Sequence, residues 1–126
     1  MKGVEVKIQH LFNDVKGESH FEEIDVEFTP VDFAPPAPPV DLSEFQKARS
    51  VAIMRAGPGW KGGWHPAPRR QLMFYLVGRV EGETSDGTRR RMGPGSVVLV
   101  EDTEGKGHRS WVVGEEEVVI AVVQLE

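Results

Sequence analysis

Gly63-Trp-His-Pro-Ala-Pro-Arg-Arg-Gln-Leu-Met-Phe-Tyr-Leu-Val-Gly78 opens on an imidazole set among glycine, tryptophan and proline. It then runs into an apolar, β-prone segment closed by glycine. Strand side chains alternate faces with period two. An unbroken pleat therefore places His65, Ala67, Arg69, Gln71, Met73 and Tyr75 on one face and Leu72, Phe74 and Leu76 on the other. One face carries polar and reactive groups, the other plain hydrophobic packing. A strand apolar outside and polar inside predicts a barrel or sandwich around a polar cavity, not a filled core.

The strands on either side support an all-β chain. Val4, Val6 and Ile8 alternate within a first strand over residues 4–12, and the stretch from Asp14 to Gly17 reads as a turn. From Phe21 to Phe28, Ile24, Val26 and Phe28 share one face and Glu23, Asp25 and Glu27 the other, the pattern of a half-buried strand. Between Thr29 and Leu42, Ala34-Pro-Pro-Ala-Pro-Pro39 cannot donate ladder hydrogen bonds and favours an extended arm, lying over the barrel or across a partner subunit. Ala48 to Arg55 is a further strand, and the glycine-rich stretch Ala56 to Gly63 is a rim loop. It lacks the Lys-Ser/Thr ending of a phosphate-binding loop. Glu81–Thr84 and Thr88–Met92 form a hairpin around Ser85-Asp86-Gly87, which puts Arg89, Arg90 and Arg91 opposite Glu81 and Glu83. Ser96 to Val100, a strand through His108, Ser110, Val112 and Val113, and the apolar run Val118 to Leu125 complete the set. An apolar run of that kind suits a strand covered on both sides, as at a dimer interface.

Two segments resemble the motifs of the cupin superfamily. Gly59, five residues, His65-Pro-Ala67, three residues, Gln71, six residues and Gly78 keep the frame of the first motif. Ala67 stands where the family has a second histidine, and Gln71 where it has glutamate. Gly95 to His108 is similar to the second motif, with a longer loop that lacks the usual proline. The resemblance covers roughly residues 45–126 and implies a jelly-roll (double-stranded β-helix) barrel preceded by an N-terminal arm over residues 1–44, the whole chain, 1–126, being one domain. It also implies a metal such as Fe, Mn, Ni or Zn held by histidine and carboxylate. The matched positions offer His65, Gln71 and His108 as ligands. Alanine cannot ligate, and a neutral amide oxygen is a weaker donor than carboxylate, so the altered set favours no metal over a bound one. His10, His20, Glu101 and Asp102 are the side chains left to complete it.

Composition bounds the rest. One domain is the expectation for 126 residues, with enough core that no staple is needed. There is no cysteine, no apolar run of membrane length and no signal-peptide core at the N-terminus, which points to the cytoplasm. A formal charge of −5 argues against nucleic acid as a partner.

The expected function is small-molecule binding in the barrel, by a homodimer. Without a metal, His65 and His108 are proton acceptors or donors and Gln71 holds an imidazole tautomer or a substrate carbonyl. Arg69, facing inward, takes a carboxylate or enolate, and Tyr75 donates deeper in. Trp60, Trp64, Met73 and Trp111 wall the site. That set suits isomerase or lyase chemistry on a small carbonyl or carboxylate compound. The alternatives are a metal-dependent oxygenase or isomerase with a non-standard ligand set, and a non-catalytic ligand-binding or sensory module. A purely structural role is open too, with Arg69 and Arg70 paired to Glu101 and Asp102 at the rim.

Overall fold

A computed structural model describes residues 3–126. Its strands are β1 (Lys7–Asn13), β2 (Ser19–Asp25), β3 (Thr29–Val31), β4 (Val40–Leu42), β5 (Ala48–Ala56) and β6 (Lys61–His65). They continue as β7 (Gln71–Val77), β8 (Arg79–Thr84), β9 (Arg89–Met92), β10 (Val97–Val100), β11 (His108–Val113) and β12 (Val118–Leu125). No helix among the described residues is long and apolar enough to cross a membrane.

A six-stranded sheet in the order β2-β1-β10-β7-β12-β5 faces a four-stranded sheet in the order β6-β11-β8-β9. All pairings are antiparallel apart from β1 beside β10. From β6 onward the chain passes back and forth between the two sheets, β8 and β9 being the one hairpin kept within a sheet. That winding is the expected jelly roll. Gly78 makes the tightest of these crossings, at a φ of 77°. A Cβ there would lie 2.4 Å from the Glu117 carbonyl oxygen, so glycine is required.

The core lies between the sheets. Leu11, Tyr75, Val98, Val100, Ile120 and Val122 come from one side and Val80, Met92 and Val112 from the other, with Val118 wholly buried. The interior is thus mostly packed, and the expected polar cavity is reduced to small spaces within an apolar core. Met73 and Tyr75 do face inward, and Leu72, Phe74 and Leu76 outward, as the alternation predicts.

The pleat through Gly63–Gly78 is broken. His65 ends β6 in the four-stranded sheet, and Gln71 begins β7 in the six-stranded one. Pro66 and Pro68 have no N–H to give a ladder, and the chain crosses between sheets at that point. Face assignments made on one side of the break do not carry to the other. The rim loop is shorter than expected, since Lys61–His65 is strand. The first two strands are displaced to Lys7–Asn13 and Ser19–Asp25, which leaves Phe28 exposed beyond them.

The expected arginine hairpin forms, with Arg91 against Glu81 at 3.0 Å and Arg89 against Glu83 at 3.2 Å. The proline-rich arm folds into a short β3–β4 hairpin that pairs with neither large sheet, and residues 27–41 are all exposed.

Candidate functional site

The site is assembled where β6, β11 and the loop before β11 meet. Gly107, at a φ of 73°, packs against the backbone of His65. The wholly buried Ser19 donates from its hydroxyl to the Gly107 carbonyl at 2.7 Å. These contacts hold His65 and His108 as cross-strand partners with ring centroids 4.8 Å apart.

Asp102 completes the group. Its backbone carbonyl accepts the Ala67 N–H at 2.9 Å, which ties the proline-interrupted crossing to the loop. Its side chain, 0 % exposed, lies 2.6 Å from His108 Nδ1. Its second carboxylate oxygen, Oδ1, is buried and has no hydrogen-bond partner among the described residues. A carboxylate can only accept, so Nδ1 of His108 carries the hydrogen and Nε2 is the open nitrogen. His65 follows the same logic: Nδ1 donates to the Gly63 carbonyl at 2.6 Å and Nε2 is left open. Both tautomers follow from their partners.

His108 borders a small internal cavity of about 50 Å³, shared with Met73, Tyr75 and Ser110 among mostly apolar neighbours. A second space of about 130 Å³ shares the last three residues and has Trp60 among its walls. Burial pushes the Tyr75 phenol well above its ordinary range, so its hydroxyl remains a donor.

The other expected site residues are distributed differently. Gln71 is buried on the inner face of β7, opposite Val100 and Gln124, and is hydrogen-bonded to neither His65 nor His108. Arg69 is exposed in the β6–β7 loop, not turned inward, because the strand that would have aimed it ends at His65. Trp64 and Trp111 line the outside of the four-stranded sheet, not the cavity. The Arg109 guanidinium stacks 5.0 Å from the Trp64 ring centre and 5.8 Å from that of Trp111, and Arg89 lies 5.3 Å from Trp111. Alternation explains this: Ser110 and Val112 face inward, so Arg109 and Trp111 face out. Trp60, 46 % exposed, borders the second space from its outer side.

The remaining histidines are occupied elsewhere. His10 bonds Glu22 at 2.7 Å and Glu101 at 2.6 Å, and Glu101 is shared with Arg70. Partial burial pushes Glu101 up, but the hydrogen bonds and charges of Arg70 and His10 outweigh it and hold the carboxyl below its ordinary value. Arg70 thus locks the rim through Glu101, while Asp102 serves His108 instead. His20 is clamped by Asp14 at 2.7 Å and Asp86 at 3.0 Å.

The donor set does not fit a resident divalent metal. Among the described residues no group of three or more His, Cys, Asp or Glu side chains is placed to hold one. Ala67 is a buried carbon, His10 and His20 use both ring nitrogens on carboxylates, and Asp102 reaches the pair only through His108 Nδ1. Two open imidazole nitrogens are what remains. Asp102 is neither the metal ligand nor the rim partner of an arginine that its acidic loop suggests, and its pairing with His108 carries no signal in the sequence. Ser110 carried no signal beyond its alternation with Val112.

No family model and no curated protein matches the chain. Among solved structures, the cupin domain of Schizosaccharomyces pombe Cnp3 is similar, at 15 % identity and a TM-score of 0.48, covering 97 % of this chain and 84 % of that one.

Proposed function

We propose that the protein binds a small neutral carbonyl compound inside the barrel and that the Asp102–His108 pair moves a proton on it. The observation that carries this reading is a wholly buried carboxylate fixing an imidazole in its Nδ1–H form, while that imidazole borders an internal cavity. Orientation of a histidine by a carboxylate is how a general base is kept in its working tautomer.

The chemistry follows from the lining. His108 Nε2 takes a proton from the carbon beside the carbonyl. The C–H electron pair becomes the new C=C bond, and the carbonyl π pair moves onto oxygen. Tyr75 and Ser110 border the same cavity and supply hydroxyl donors for that oxygen. Return of the proton to the same carbon gives exchange; where that carbon also bears a hydroxyl the intermediate is an enediol, and return of the proton to the former carbonyl carbon, with the hydroxyl's proton passing to the other oxygen, gives isomerisation. Among the described residues the cavity beside His108 has no Lys or Arg in its lining, so a carboxylate placed there would be unpaired; the one guanidinium nearby, Arg55, borders the second space instead. Spaces of about 50 and 130 Å³ admit a ligand of only a few heavy atoms.

The test is proton exchange in D2O. Short aldehydes and ketones are incubated with the protein, and loss of the signal of the hydrogen beside the carbonyl is followed by proton NMR. Exchange is expected with the native chain and lost in His108→Gln and Asp102→Asn, while binding, read from the Trp60 indole resonance, persists. Binding without exchange in the native chain would make this a ligand-binding module and remove the proton-transfer half. No exchange and no shift of Trp60 would remove the whole reading.

A further inference from the structure

The outer face of the four-stranded sheet carries charge opposite in sign to the chain as a whole. Its outward positions hold Lys61, Arg79, Arg89, Arg91 and Arg109 against two carboxylates, Glu81 and Glu83, in a chain of formal charge −5. Arg89, Arg91 and Arg109 share those two carboxylates. Lys61 and Arg79 have no carboxylate partner among the described residues. The aromatic groups of this face are already occupied: Arg109 lies between Trp64 and Trp111, and Arg89 packs on Trp111 as well.

β6 is an edge of that sheet. It pairs only with β11, and four of its five residues are exposed. The register shifts between His108 and Ser110, so Gly63 and Trp64 together oppose Arg109. A Cβ added to Gly63 would meet nothing within 4 Å. The missing side chain opens a depression of about 330 Å³ lined by Lys61, Gly62, Gly63, Arg109, Ser110 and Trp111. Two cations and an indole thus flank a hollow beside unpaired strand backbone.

We propose that this edge and face dock an extended acidic segment of another protein. The segment adds as a fifth strand beside β6 and hydrogen-bonds through its backbone to the free edge. Every second side chain of such a strand faces outward, on the side of Lys61 and Trp111. An apolar side chain at one of those positions fills the hollow over Gly63. Carboxylates two residues before and after it meet Lys61 and the Arg109 guanidinium. The pattern recognised is acidic-x-apolar-x-acidic. Single-stranded nucleic acid is the disfavoured polyanion, because arginine already takes the indole faces on which bases would stack and the chain as a whole is acidic. The surface lies outside the barrel, so this inference is independent of the barrel chemistry.

The test titrates the full chain, labelled for nitrogen NMR, with the peptide acetyl-Thr-Glu-Thr-Leu-Thr-Glu-Thr-amide. Amide shifts are expected along β6 and β11, together with shifts of the Trp64 and Trp111 indoles. Replacing both glutamates of the peptide by lysine, or Lys61→Glu in the chain, should weaken binding at least ~10-fold. Gly63→Val fills the hollow at a position whose φ is not left-handed and where a side chain meets no neighbour. Circular dichroism should therefore report the native fold while the affinity falls at least ~10-fold. No shifts at about 1 millimolar peptide would overturn the proposal. So would equal binding of the lysine peptide, native affinity in both variants, or shifts centred on another face. Tighter binding of oligothymidylate than of the peptide would overturn it too, and would make this a nucleic-acid surface.

Discussion

Asp102 and His108 meet at 2.6 Å across the turn of one loop, and the aspartate is wholly buried while the histidine faces the barrel interior. The aspartate's second oxygen has no partner among the described residues. A buried carboxylate left half-satisfied is costly, so its placement serves the imidazole more than it serves packing.

The first prediction concerns that pair. Asp102→Ala leaves the Nδ1–H of His108 without its acceptor and should lower stability by ~1–3 kcal/mol, measured by urea unfolding. Asp102→Asn should fold but lose the single tautomer. Long-range proton–nitrogen NMR of His108 should change from one Nδ1–H form to a mixture. An unchanged tautomer in the asparagine variant would show that something other than Asp102 sets it.

Gly107→Ala should be among the most damaging small substitutions in the chain. The new Cβ would meet the His65 carbonyl carbon and oxygen at 2.1 Å, at a φ of 73°. The left-handed conformation and the backbone clash together should cost on the order of 3 kcal/mol or more. The variant should also separate His65 from His108, seen as shifts of both ring resonances. A variant as stable as the native chain would rule out this packing of Gly107.

His20 predicts a pH window. Hydrogen bonding to Asp14, with a second bond and the charge of Asp86, raises its imidazole above the ordinary value of 6.5. Its contribution is therefore full below about 6.5 and is lost as pH rises through the raised folded value. The hydrogen bond from His20 holds Asp14 below 3.8. For Asp86 burial pushes up, but bonds from Thr84, Thr88 and His20 win and hold it at about 2. Those contributions are present above about 3.8 and fade as pH falls. The stability lost in His20→Gln should be greatest between about pH 4 and 6.5 and shrink on either side. A difference that stays flat from pH 5 to 9 would mean the clamp carries no charge-dependent stability.

Val118→Ala tests the core at the point where β12 packs beneath the Gly78 crossing. Val118 is 0 % exposed, and its atoms lie against the place a Gly78 side chain would take. Removing two buried methyl groups should cost about 2 kcal/mol, with no change in the His108 tautomer. A loss below ~0.5 kcal/mol would mean the cavity collapses or holds water.

Alternation and turn chemistry, both local, determined much of this protein in advance. They determined the all-β class, the Asp86-Gly87 hairpin with its arginine–glutamate pairs, the two faces of β7, and the placing of His65 and His108 on different strands. Each depends on residues only a few positions apart, where strand pleat and turn geometry leave few choices. Only the tertiary structure decided that Pro66 and Pro68 mark a crossing between sheets, which moved Arg69 out of the interior, and that Trp64 and Trp111 stack on Arg109 outside. It alone decided that Asp102, one carboxylate in an acidic loop, is the one that meets His108, and that the arm stands clear of its own sheet. These are matters of which sheet a strand joins and what lies across from it. Partners distant in sequence set them through burial and hydrogen-bond satisfaction, which no local pattern encodes.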